Sequence, residues 1–267
     1  MNAQSSPVAD EPLLLRRDEG GVAWLTLNRP GQFNSLSQAM LASLQGTLSA
    51  IAADTSLRVV VIAGAGKAFC AGHDLKEMRA NHDKAFMQTL FRQCAKVMNT
   101  IQAMPQVVVA RVHGIATAAG CQLVAMCDLA VASNDSRFAV SGINVGLFCS
   151  TPAVALSRNL GRKQALEMLL TGEFIGAEEA KAKGLVNRVV ELIDLDAEVG
   201  RLVSSILAKS PVAVATGKQM FYKQLEMGME AAYQYAGEVM ACNMMAEDAA
   251  EGIDAFMSRR KPVWSGK

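Results

Sequence analysis

The residues best suited to chemistry fall in three short stretches. "GIATAAGCQL" (Gly114 to Leu123) is a Gly/Ala-rich turn running into an apolar segment. That pattern leaves backbone N–H groups free at a helix start, aimed at any negative charge that develops in front of them. Its only long polar side chain is Gln122, a neutral amide. "KAFCAGHDLKEM" (Lys67 to Met78) brings His73, whose imidazole ordinarily titrates at about 6.5, beside Asp74 and Lys76. "GLFCSTP" brings Cys149, a thiol that becomes a nucleophile or base when its pKa is lowered, with Ser141, Asn144 and Ser150 as weaker neighbours. Each has a structural alternative: His73 contributing only its backbone, Cys149 as an inert packing group, and Asp74 as the cap of a solvated helix.

Other chemistries fail on residue type. "VVVIAGAGKAF" places Gly64 and Gly66 after a β-branched run, but Phe69 stands where a dinucleotide fingerprint needs its third glycine. Ala68 likewise follows Lys67 where a phosphate loop needs Ser or Thr. The three histidines, His73, His82 and His113, lie in no nucleophile elbow. Six cysteines without Cys-x-x-Cys spacing argue against a zinc site or a disulfide framework, so no metal is expected and a reducing cytoplasm fits best. A net charge of +1 without a basic run gives no footprint for nucleic acid. The apolar runs are far too short to span a bilayer.

These motifs need a scaffold, and the patterning supplies one. "PLLLRR" and "GVAWLTL" flank "DEGG" as a hairpin, and Ser37 caps a helix to Ala53 whose apolar residues recur at helical spacing. "LRVVVIAG" and "QVVVARVHG" read as strands buried on both faces, separated by a helix over residues 82–104. "CQLVAMC" is a further helix, "LAVASND" and "RFAVSG" are short strands, and "LVNRVV" is the last strand before a mostly helical remainder. Strands alternating with helices make the fold α/β. Residues 1–11 read as a disordered lead-in, 12–200 as the α/β core and 201–267 as a helical, Met-rich region suited to adaptable packing or a subunit interface.

Taken together, "KAFCAGHDLKEM" and "GIATAAGCQLVAMCDLAVAS" resemble the signature of the crotonase superfamily, the enoyl-CoA hydratase/isomerase family. The likeness continues through "NRPGQFNSL", "ALEMLLTGEFIGAEEAKAKGLVNRVV" and "EGIDAFMSRRKPVW"; "GLFCSTP", "FYKQL" and "RKPVW" look most like the enoyl-CoA hydratase domain-containing protein 3 subgroup. The resemblance implies a crotonase (ClpP/crotonase-like) spiral of ββα units with a helical C-terminal trimerisation region, assembling as a homotrimer or a dimer of trimers. It implies an acyl-CoA thioester as substrate, with no resident cofactor. The two oxyanion donors fall on the backbone N–H groups of His73 and Ala119. Ala71 offers its carbonyl to the pantetheine amide, and Asp74, Leu75 and Lys76 lie along the substrate. Arg29, Phe33 and Arg259 are expected contacts for the nucleotide end of CoA.

The resemblance also exposes a departure. Where hydratases of this family use two glutamates to handle water and proton, the matching positions hold Gln122 and Gly142. An amide has no accessible pKa and glycine has no side chain, so neither exchanges a proton near neutral pH. The expected function is therefore stabilisation of a thioester enolate, with efficient hydration or double-bond isomerisation doubtful. A non-catalytic acyl-CoA binder and a residual hydratase are the alternatives.

Overall fold

The computed structural model describes residues 11–267, so most of the N-terminal lead-in lies outside the described residues. The chain opens with the hairpin expected from the alternating pattern: β1 (Leu14–Glu19) pairs antiparallel with β2 (Val22–Leu27). Ser37 caps α1 (Gln38–Ala52), accepting from the Met40 N–H, and α1 buries Met40, Leu41, Leu44, Leu48 and Ile51 on one face. That face is the i, i+3, i+4 stripe of an amphipathic helix.

From here the chain winds in turns, each sending one strand to each of two sheets. The first turn is β3 (Val59–Gly64), β4 (Ala68–Cys70), α2 (Leu75–Ala80) and α3 (Lys84–Ala103). The second is β5 (Val107–Val112), β6 (Ile115–Thr117) and α4 (Ala119–Met126); the third is β7 (Leu129–Ser133), β8 (Arg137–Ala139) and α5 (Ser150–Asn159). Next come α6 (Arg162–Thr171), β9 (Ile175–Gly176), α7 (Ala177–Ala182) and β10 (Arg188–Val190). The first sheet runs β1-β2-β3-β5-β7-β10, parallel beyond the hairpin, and the second runs β4-β6-β8-β9. This is the spiral of ββα units that the α/β alternation and the resemblance pointed to.

Several of these elements escape a periodicity reading for physical reasons. β4 and β6 are three residues each, too short to show alternation, and β6 lies within what reads as a Gly/Ala loop. α5 begins at Ser150, inside a stretch whose Pro152 reads as a breaker, yet proline is tolerated in a first helical turn because its missing N–H would be unpaired there.

The C-terminal part comprises α8 (Leu195–Leu207), α9 (Pro211–Gln224), α10 (Met229–Met244) and α11 (Glu247–Met257). α8 runs through residue 200 and lays Leu195, Val199, Leu202 and Val203 on the outward valines of the first sheet: Val22, Val59, Val61, Val107, Val109 and Val131. The opposite face of that sheet joins the main core with α1, α3 and α4. The later helices leave Phe221, Leu225, Tyr233, Met240, Met245 and Phe256 exposed.

One buried polar cluster ties α9 to this core. The Lys218 ammonium donates to the carbonyls of Ile101 and Gln106 and pairs with Asp128, each at 2.7 Å. Asp128, read from sequence as structural, also accepts from Tyr222 Oη at 2.8 Å and from the Val108 N–H at 2.7 Å. Burial pushes the Asp128 carboxyl up and the Lys218 ammonium down, while their mutual attraction opposes both shifts. Removing one partner strands the other charge, so Lys218→Ala is expected to destabilise the fold by about 3–5 kcal/mol. Urea denaturation at matched protein concentration reads this directly, and a loss under about 1 kcal/mol would mean the cluster carries no such weight.

Candidate active site

The site forms where the backbone after β4 meets the start of α4. Gly72 sits at φ +89, and a Cβ built on it would lie 2.8 Å from Ala118 Cβ and 3.1 Å from the Ala119 nitrogen. Only glycine allows so close an approach in that left-handed conformation. On the other side of the crossing, Ala118 is held at φ 50, ψ −121, a region that costs an alanine on the order of 1–3 kcal/mol. α4 has no side-chain cap, and all eight of its residues are buried.

The consequence is a pair of neighbouring donors. Leu36 N–H donates to the Gly72 carbonyl at 2.7 Å and Ala71 N–H to the Phe33 carbonyl at 2.9 Å, which fixes the strand from Ala71 to His73. Among the described residues no carbonyl or side chain accepts from the N–H of His73 or of Ala119. The Ala119 N–H also stands at the positive end of the α4 dipole. Two free N–H groups side by side, one at a helix N-terminus, are what a developing oxyanion requires.

The side chains around these donors carry little charge. His73 Nδ1 faces the Leu36 carbonyl at 3.3 Å and must donate to it, so Nε2 holds the lone pair; it is buried without a partner. Burial lowers the imidazole pKa, so the ring is neutral at physiological pH, tilted against Phe91 with centroids 5.5 Å apart. Gln122, one helical turn beyond Ala119 and on the same face, is buried, and its Oε1 has no partner.

Gly142 lies in the short 3-10 turn Ser141–Val145, which is moored to β6 by Ser141 Oγ and Thr117 Oγ1 at 2.9 Å. A Cβ at 142 would meet the Leu147 carbonyl at 2.6 Å and Cys149 Sγ at 2.7 Å, so the fold has closed the space a glutamate would use. Cys149 is buried at the start of α5. Burial raises its pKa, against an opposing hydrogen bond donated by the Gly142 N–H. Its thiol therefore keeps its proton at neutral pH.

Asp74 caps α2, accepting from the N–H groups of Lys76 and Glu77, and pairs with Arg29 at 3.1 Å. These bonds, with that cap foremost among the favourable ones, hold the Asp74 carboxyl below its ordinary range against the cost of burial. Arg29 also donates to the Ser35 carbonyl, so its guanidinium is engaged within the chain. Leu75, Lys76 and Phe33 are exposed beside this segment, and Ala71 is half-buried. Arg259 is exposed at the end of α11, at φ 53.

Asn34 escaped the sequence reading. Fully buried, it donates to the carbonyls of Ala65 and Ala68 at 2.8 Å each and accepts from the Arg29 N–H, bracing the loop that leads into β4. Its signal is a polar residue three positions after a Pro-Gly break, "RPGQFN". A groove of about 590 Å³ lies elsewhere, on the first sheet between Trp24, Arg111 and His113. Its guanidiniums are matched by acids, Arg16 with Asp18, Arg17 with Glu19 and Arg111 with Asp196, so it offers an anion no free charge. No group of three or more metal-binding side chains occurs among the described residues, and no helix there is long and apolar enough to cross a membrane.

Known proteins match nearly the whole chain in sequence and fold. The family model for enoyl-CoA hydratase/isomerase matches residues 17–267. The chain is 47% identical to enoyl-CoA hydratase domain-containing protein 3, mitochondrial, of Xenopus laevis, over 98% of this chain and 89% of that protein. It is 35% identical to 2,3-dehydroadipyl-CoA hydratase of Escherichia coli (strain K12), over 92% and 96%. The crystal structure of an enoyl-CoA hydratase from Mycobacterium smegmatis aligns with a TM-score of 0.94 at 62% identity, covering 95% of this chain and 99% of that one. Human enoyl Coenzyme A hydratase domain-containing protein 3 aligns with a TM-score of 0.92 at 45% identity, covering 95% and 100%. Fold and sequence agree: the chain belongs to the enoyl-CoA hydratase/isomerase family, and is of the enoyl-CoA hydratase domain-containing protein 3 type.

Proposed function

We propose that this protein binds an acyl-CoA thioester and stabilises its enolate between the N–H groups of His73 and Ala119, without the carboxylate pair that hydration needs. The observation that carries the reading is the combination at one site of two unpaired backbone donors with Gln122 and a closed-off Gly142. In related chemistry each oxyanion donor is worth about 100- to 1,000-fold in rate, and each general acid or base about 100- to 10,000-fold. Retaining the first and lacking the second favours charge stabilisation over water addition. Gln122 orients the acyl group or a water, the Ala71 carbonyl receives the pantetheine amide, and Leu75 and Lys76 lie along the substrate. Phe33 and Arg259 are offered to the nucleotide end. Arg29 acts there through Asp74, because its own donors are engaged.

A second reading, a binder that performs no chemistry, is favoured by the same absence of a proton carrier at Gln122 and Gly142. The protein named as a 2,3-dehydroadipyl-CoA hydratase supports a third, residual hydration. The described cysteines are all unpaired, which supports a reducing compartment such as the cytoplasm, although the Xenopus relative is named as mitochondrial. The apolar residues left exposed on α9, α10 and α11 support assembly into trimers, alone or paired.

Two measurements test these statements. Crotonyl-CoA hydration should run at least about 100-fold slower than in a family member carrying both glutamates and assayed alongside, while acyl-CoA binds saturably. Rates equal to that relative would overturn the proposal; binding without any product across enoyl-, hydroxyacyl- and malonyl-type thioesters would select the second reading. Light scattering in solution should give the mass of three or six chains, and a monomer at micromolar concentration would refute the assembly.

A further inference from the structure

Cys149 stands beside Gly142, and the reading above gives its thiol no task. Its Sγ lies 2.7 Å from where a Cβ on Gly142 would stand, the direction in which hydratases of this family send a carboxylate toward the substrate. Gln122, 4% exposed and with Oε1 unpartnered, marks the same site from the face of α4 that carries the free Ala119 N–H. The adjoining residue, Cys121, and Cys149 belong to the same buried cluster of the main core.

We propose that Cys149 is a covalent acceptor for α,β-unsaturated acyl-CoA thioesters, forming a reversible thioether at the β-carbon. This rests on the reading that the thioester carbonyl lies between His73 and Ala119. The step balances without any further reactant. The S–H bond breaks and an Sγ–Cβ bond forms, while the alkene π pair moves toward the carbonyl, where the two N–H groups hold the enolate oxygen. The proton lost by sulfur ends on Cα. Reversal regenerates thiol and enoyl-CoA. With no carboxylate to activate water at residues 122 and 142, the thiol is the nucleophile that this wall offers to a polarised β-carbon.

The other cysteines make internal controls. Burial pushes the thiols of Cys70, Cys94 and Cys121 up to about 12 and that of Cys127 higher still, while Cys242 is exposed on α10. Incubating the intact protein with crotonyl-CoA or acryloyl-CoA, followed by intact mass and peptide mapping, should show one added thioester per chain, located on Cys149. Addition there should outrun addition to Cys242 by about 100-fold, the scale of one oxyanion donor. Excess butyryl-CoA, which has no alkene, should block it, and Cys149→Ser should abolish it while labelling of Cys242 continues. Labelling of Cys149 no faster than Cys242, labelling indifferent to butyryl-CoA, or no adduct although calorimetry shows crotonyl-CoA bound would each overturn the inference. Absence of thioester binding altogether would instead remove the functional reading beneath it. Mapping of the unmodified sequence carries the result even if the serine variant folds poorly.

Discussion

The structure depends on a close backbone crossing. Where the chain leaves β4 it passes so near the start of α4 that Gly72 has no room for a side chain and Ala118 is bent into a strained conformation. Much of the surrounding architecture serves that approach. Gly120, one residue into α4, would put a Cβ 2.1 Å from the Cys70 carbonyl, so helix and strand are in backbone contact. Leu36 and Phe33 hold the segment Ala71–His73 from the other side, and Asn34 pins the loop before β4. The outcome is two N–H groups without partners among the described residues, inside a largely buried wall. Leaving donors unpaired is costly in a folded protein, and such exceptions concentrate where a ligand supplies the missing acceptor.

The titratable side chains around that crossing are neutral or engaged elsewhere. The imidazole of His73 is held neutral by burial, the Cys149 thiol keeps its proton, and the Asp74 carboxylate is turned to capping α2 and to Arg29. The space next to Gly142 is filled by the Leu147 carbonyl and by sulfur, so a glutamate there is excluded by geometry as well as by sequence. On the proposed reading the site acts through fixed dipoles, which need no reorganisation as charge develops.

Much of this was legible in the sequence because its signals are local. The hairpin, the Ser37 cap, the two β-branched strands and the helical C-terminal part follow from period and turn residues and stand where expected. The paired motifs around His73 and Ala119 announced the family. Periodicity missed β4, β6 and α5, the first two because three residues carry no alternation and the last because Pro152 masks its first turn. Sequence also could not tell that Arg29 is engaged by Asp74 and Ser35, or that Cys149 stands against Gly142, since both depend on chain segments meeting in space.

The central claim is that a thioester carbonyl is polarised between the N–H groups of His73 and Ala119. Carbon-13 NMR of an acyl-CoA labelled at the thioester carbonyl measures this without requiring turnover. The account predicts a downfield shift of that resonance on binding, and its loss in Gly72→Ala, whose added methyl would press on Ala118 and the Ala119 nitrogen. A thioester that binds the unaltered protein with its carbonyl resonance at the free value would contradict it.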